Sequence, residues 1–423
     1  MKTSFHSLPG PEDIFRAETS NGITVLARAN PNSPSIALGG YVSVGSLFDS
    51  DEKLGLADFT SAALMRGTTR RDFFQIHDAL ESIGAALGFS SGARTTSFSG
   101  RSLSEDLPLM FELLAEFLRQ PTFPVEHVER LRAQLLTGLA IRDQDTSDRV
   151  GMAFDEIVYA GHPFRRPDDG YPETIRAITR DDLADFHRRH YGPRDMVLAV
   201  VGAIEPQQVL DFVERFLGDW RNPEQPATPA LPALQPLNAI TRKHVPINGK
   251  SQTDLIIGCH GPNRHADDYF AASLANSVLG QFGMMGRIGD VVRERSGLAY
   301  YAYSSLSAGL ETGTWDISAG VNPANLEKAI DLILAEVKTF VQKGVSLEEL
   351  RDSQDNFVGR LPLSLESNGG VANALLNIER YQLGLGYYHS YEERIRAITP
   401  EDALKAIRHY LHPERLAIVT AGS

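Results

Sequence analysis

Apolar and polar positions along this 423-residue chain follow two different periods. Short apolar runs bounded by Gly, Pro and Asp predict buried strands. In the first half they are IALGGYVSVGS (36–46) and MVLAVVG (196–202). In the second they are DLIIGCHGP (254–262) and LAIVTAG (416–422). Between them, apolar residues three and four apart predict amphipathic helices. Two of these, VEHVERLRAQLLTGL (125–139) and SLEELRDSQDNFVGRL (346–361), sit at similar depth in the two halves. Both carry acids in the first turn, where they oppose the helix dipole.

The pattern repeats. YPETIRAITRDD (171–182) and YEERIRAITPED (391–402) align without gaps, and the register runs on through Pro193 and Pro413 to Gly202 and Gly422. Each copy reads as a helix, a Pro turn and an apolar strand, the signature of an internal duplication. RNPEQPATPALPALQPLN (221–238) has five prolines and no glycine, which predicts an extended, semi-rigid connector. The predicted domains are therefore 1–220 and 239–423, joined by 221–238. The polar alternation of ARTTSFSGRS (93–102) suggests hairpins, with the polar strand near 94–101 at a sheet edge. The expected class is α+β: two homologous halves, each a mostly antiparallel or mixed sheet packed with helices.

Composition narrows the function. The net charge of −13 argues against nucleic acid or an anionic membrane as partner. The one cysteine, Cys259, cannot form an internal disulfide. The first fifteen residues carry no apolar signal core, and no run approaches a membrane span, so a cytoplasmic location is expected.

The stretch GLADFTSAALMRGT (55–68) carries a specific resemblance. It resembles the H-x-x-E-H helix of inverzincin peptidases, in which two His bind zinc and the Glu serves as base. In the pitrilysin/insulinase family the frame is roughly G-x-A-H-F-L-E-H-M-x-F-x-G-T. Gly55, Ala57, Phe59, Gly67 and Thr68 fit it. The chemical positions do not: Asp58 and Ala62 stand for the His residues and Ser61 for the Glu. The third ligand, a downstream Glu, falls at Gly138. No other donor set replaces them. His187 and His190 flank two arginines at a helix end, and His409 and His412 are their counterparts in the repeat. Cys259, His260 and His265 lack a fourth ligand at usual spacing.

The second half adds LGQFGMMGRIGDVVRERSGLAYYAYSS (279–305). A helix over 284–295 is predicted, stopped by Gly297 as a C′ residue, with Arg293 in its last turn. Strand alternation puts Tyr300, Ala302 and Ser304 on one face. Glycines 280, 283, 286 and 289 form no phosphate-loop or dinucleotide pattern. The family has an Arg and a Tyr seven apart before and within a G-L-x-Y motif, as Arg293 and Tyr300 are here. The resemblance implies that this pair holds the substrate backbone and stabilises the tetrahedral oxyanion.

The resemblance spans the chain and is nearest the two-subunit processing peptidases. It implies a clamshell of the LuxS/processing-peptidase-like metallohydrolase fold. It further implies a zinc-free, non-catalytic subunit of a heteromeric zinc metallopeptidase. The chain itself would need no cofactor, and zinc would sit on a homologous partner, in a heterodimer or a dimer of heterodimers. Arg293 and Tyr300 would act in trans on a peptide or unfolded-protein substrate. Two alternatives stay open: a structural subunit like the respiratory-complex core proteins, and a homodimeric peptide-binding module without activity.

Overall fold

The computed structural model describes residues 8–283 and 286–423. The chain forms two compact units, neither of them a continuous stretch. Unit 1 holds the stretch ending at Leu139 together with Pro167–Ala230 and Leu361–His389. Unit 2 holds Ala140–Arg166, Leu231–Arg360 and Ser390–Ser423.

Unit 1 contains strands β1 (Phe15–Glu18), β2 (Thr24–Ala29), β3 (Ser35–Val42), β4 (Ala86–Ser91), β5 (Thr96–Leu103) and β6 (Val197–Gly202). They form one sheet in the order β1-β2-β6-β3-β5-β4. Unit 2 contains β7 (Thr241–Pro246), β8 (Thr253–Gly261), β9 (Ala299–Leu306), β10 (Gly313–Val321) and β11 (Ala417–Gly422), in the order β7-β11-β8-β10-β9. Apart from the extra β1, the second order is the first shifted by five strands. The one parallel pairing falls at the same place in each sheet, β2 with β6 and β7 with β11. The duplication read from the repeated twelve-residue segments is thus a duplication of topology, in an α+β fold.

One sheet face in each unit carries the large core. In unit 1, Val25, Leu38, Phe98 and Val200 meet Phe59, Phe111, Phe117 and Val213 from helices. In unit 2, Leu255, Ile257, Trp315 and Ile418 meet Leu274, Ile333 and Ile407. The opposite face takes a single helix. Asn368–Arg380 packs on β6 and β3 in unit 1, through Leu375 and Ile378. Thr146–Val158 packs on β11 and β8 in unit 2, through Val150 and Phe154. Each covering helix comes from the half of the sequence that supplies the other sheet.

Three local expectations change. The repeated segments each form two helices rather than one: Pro172–Ala177 then Arg180–His190, and Tyr391–Arg396 then Pro400–Tyr410. Reciprocal Thr–Asp capping boxes, Thr179 with Asp182 and Thr399 with Asp402, start the second helix each time. The polar strand near 94–101 is not the sheet edge. It lies in β5, between β3 and β4, and the edge is β4. The predicted 284–295 helix begins outside the described residues. From Gly286 it is one α-turn, Gly286–Ile288, followed by a π-helical turn, Gly289–Glu294. Residues 221–238 contain no helix or strand, as their prolines require.

Candidate active-site remnant and the Arg/Tyr strand

The helix Leu56–Ala63 packs firmly into the unit 1 core. Asp49 accepts the N–H groups of Gly55 at 2.9 Å and Ala57 at 3.0 Å, so a buried carboxylate closes the helix N-terminus. Ala57, Phe59 and Ala63 are fully buried. The guanidinium of Arg132 lies 5.2 Å from the Phe59 ring centre and donates to the Ile178 carbonyl, which ties the helix Val125–Arg142 to this core. The Gly67–Thr68 exit is also fixed. The Thr68 hydroxyl donates to Glu116 at 3.0 Å, and Glu116 is buried between Thr68 and Arg71.

The positions that would carry chemistry are a different matter. Asp58 is largely buried. Burial, then the nearby Asp169 and Asp168, push its carboxyl up to about 6. The Ser61 hydroxyl donates back to the Asp58 carbonyl at 2.9 Å. Ala62 has no donor, and Gly138 is exposed with open space where a side chain would begin. One carboxylate, one committed hydroxyl and two side chains without ligands do not fit zinc. Among the described residues, no group of three or more His, Cys, Asp or Glu is placed to hold a metal ion.

Four of the other histidines are engaged in packing or hydrogen bonds. The His187 Nε2–H donates to the Leu118 carbonyl, 3.0 Å away, and the ring stacks on Tyr191. His190 packs between Phe48 and Phe186. Burial pulls both rings down to about 4, with Arg189 adding to the effect at His190. Cys259 faces the unit 2 core, and its thiol is pushed up to about 12, chiefly by burial. His260, next along the strand, packs against Tyr159, and His409 pairs with Asp268.

Asp58 yields a stability prediction. A carboxyl whose folded pKa is raised from 3.8 to about 6 adds no penalty when protonated in both states. Its penalty grows as pH rises from about 4 to about 6 and is complete above that. Asp58→Asn should therefore stabilise unit 1 at pH 7 by about 2–3 kcal/mol and leave stability at pH 4 unchanged. Urea titrations at the two pH values test this. An equal shift at both would mean that Asp58 acts through packing alone.

In unit 2, the turn that carries Arg293 is anchored from below. Arg287 makes a two-pronged pair with Glu349, at 2.8 and 2.7 Å, and also donates to the Gly344 carbonyl. Burial opposes the Glu349 charge, but the bonds from Arg287 and Ser346 outweigh it and hold the carboxyl down at about 2. Gly297, at φ +62°, ends the turn, and the N–H groups of Gly297 and Leu298 satisfy the carbonyls of Arg293 and Val292. Arg293 is half-exposed and, among the described residues, its ion pair is with Glu294, at 3.4 Å. Gly280 serves close packing: a Cβ there would lie 2.1 Å from the Ser304 backbone nitrogen.

Tyr300 departs from the predicted alternation. The β9–β10 register is regular from Leu306 to Tyr301 and then pairs Val321 with Ala299, so Tyr300 is the extra residue of a β-bulge. Ala302 and Ser304 point into the core at 0% exposure, whereas Tyr300 is 65% exposed. The bulge re-aims its phenol off the buried face, on an edge strand, beside the Arg293 turn that packs against β9.

Sequence reasoning missed Asp49, Glu116, Arg132 and the Arg287–Glu349 pair. Their partners lie far along the chain or, for Asp49, outside the recognised frame, so no spacing signals them.

The fold and this altered helix define a peptidase-type two-sheet scaffold whose helix carries no zinc donor set. Residues 24–167 match the insulinase family (peptidase family M16), and residues 177–357 match the peptidase M16 inactive domain. The chain belongs to the insulinase (M16) peptidase family. It is 26% identical to an uncharacterized zinc protease of Mycobacterium leprae, over 97% of this chain and 92% of that one. It is 25% identical to the beta subunit of the mitochondrial-processing peptidase of Saccharomyces cerevisiae, over 100% of this chain and 93% of that one. A Pseudomonas fluorescens structure described as a peptidase M16 inactive domain superposes with a TM-score of 0.90 at 26% identity, covering 97% and 98% of the two chains. A Helicobacter pylori protease shares the fold, with a TM-score of 0.89 at 19% identity over 98% of this chain and 100% of that one.

Proposed function

We propose that this chain is the zinc-free subunit of a heteromeric M16 peptidase and offers Arg293 and Tyr300 to a zinc-bearing partner. One contrast carries the reading. Asp58, Ser61, Ala62 and Gly138 have lost the ligand and base types together, while a bulge turns Tyr300 outward on the strand against which the Arg293 turn packs. Bulges next to active sites re-aim a side chain, which fits this reading. A guanidinium and a phenol are suitable donors to a peptide carbonyl as it becomes an oxyanion. The match to a mitochondrial-processing peptidase subunit supports a heteromeric assembly with a homologous partner. The substrate class is short or unfolded peptide, and a cytoplasmic location is part of the same reading. Among the described residues no helix is long and apolar enough to cross a membrane.

The test is a tagged pull-down from native cells with the partner identified by mass spectrometry. A similar-sized partner bearing H-x-x-E-H supports the proposal. Recovery of this chain alone, or of a membrane respiratory complex, counts against it. The isolated chain should also hold no stoichiometric zinc and cleave no peptide. One zinc per purified chain, measured by plasma emission, would overturn the assignment.

A further inference from the structure

A cavity of about 500 Å³ lies within unit 1, bounded by β3, β5, β4 and the Asn368–Arg380 helix. Its floor follows from strand alternation. Phe98 points into the large core, so Ser97 and Ser99 point to the other face, where they pair with Ser90 and Gly88 of β4. The Asn368–Arg380 helix covers β3 and β6, and the outer two strands present a hydroxyl surface instead of an apolar one. Helical spacing puts Asn373, Asn377 and Arg380 on one stripe along the cavity wall.

Arg380 is the charged group of this cavity. Its guanidinium lies 4.6 Å from the Tyr41 ring centre and donates to the Thr95 hydroxyl at 3.2 Å. The neighbouring Glu379 is already committed to Arg16, at 3.0 and 2.7 Å. Burial pushes the Tyr41 phenol up to about 12, so it remains a neutral donor. A half-buried cation among hydroxyls and carboxamides, with the neighbouring Glu379 engaged by Arg16, is complementary to a single negative charge with several acceptor lone pairs.

We infer that this cavity is a carboxylate subsite, in which Arg380, supported by Ser97, Ser99 and Asn377, receives the carboxylate of a bound peptide. The inference rests on the peptide-handling reading above and specifies its substrate class. The carboxylate is either a peptide C-terminus or an Asp or Glu side chain. One guanidinium with neutral neighbours matches either.

Fluorescence anisotropy with three versions of one labelled, otherwise neutral decapeptide tests it. One version has a free C-terminal carboxylate, one an amidated C-terminus, and one an amidated C-terminus with a single internal Glu. The full chain is used, alone and with its co-purified partner. At least one carboxylate peptide should bind about tenfold tighter than the neutral amide, and the tighter one identifies the source. Arg380→Gln should cut that preference below about twofold. Asn377→Asp, at an exposed helix position, should do the same by supplying a competing carboxylate, and so serves if Arg380→Gln does not fold. Gly88→Val places its side chain in open cavity space and should weaken binding of all three peptides. Equal binding of the three peptides to wild type and Arg380→Gln would overturn the subsite and leave the peptide-handling reading intact. Failure of every peptide to bind either sample would overturn both.

Discussion

In the assembled peptidase, Arg293→Ala is expected to lower kcat by about 10²–10³-fold, the typical loss on removing an oxyanion donor. Tyr300→Phe removes one hydroxyl and should lower it by about tenfold or more. Both variants should assemble and fold as wild type. Arg293 is half-exposed and makes one weak ion pair at 3.4 Å, and Tyr300 is 65% exposed. Neither therefore holds much of the unit 2 core in place. The effect should fall on kcat and kcat/KM together, because donors to a developing oxyanion act in the transition state. Steady-state kinetics on co-purified complexes, with gel filtration to confirm assembly, decides it. Unchanged rates for both variants at equal assembly would reduce the pair to surface structure.

The second large effect is on stability. Trp315 is fully buried in the unit 2 core. Its indole N–H donates to the Ser304 hydroxyl at 3.2 Å, and Ser304 in turn donates to Asn276 at 2.5 Å. Trp315→Ala leaves a large void under β10 and strands Ser304 without that donor. The expected loss is about 3–5 kcal/mol, enough to unfold unit 2 ahead of unit 1. Trp315→Phe keeps most of the volume and removes the hydrogen bond, so it should cost less. Urea denaturation by circular dichroism, with Trp220 of unit 1 as the remaining indole probe in either variant, separates the two transitions. A loss under 1 kcal/mol for the alanine variant would mean that this core repacks freely, contrary to its close-packed surroundings.

The two predictions draw on different levels of the molecule, and so does its legibility. The sequence by itself carried the duplication, because a repeated twelve-residue segment needs only register to be seen. It carried the α+β class, because strand and helix periods are local. It also carried the altered donor set at Asp58, Ser61, Ala62 and Gly138 and the seven-residue spacing of Arg293 and Tyr300, because both are matters of residue identity. Tertiary structure decided which strands are edges, since pairing is a long-range choice that periodicity does not encode. It decided that the helices Thr146–Val158 and Asn368–Arg380 cover sheets built from the other half of the chain, which only contacts between distant segments reveal. It turned Tyr300 outward, because one extra residue against β10 defeats strict alternation. It also buried Asp58 near two other carboxylates, and it left Arg380 facing a cavity lined by serines. Local chemistry is written in the order of residues. The direction a side chain faces, and what it meets there, comes from packing segments hundreds of residues apart.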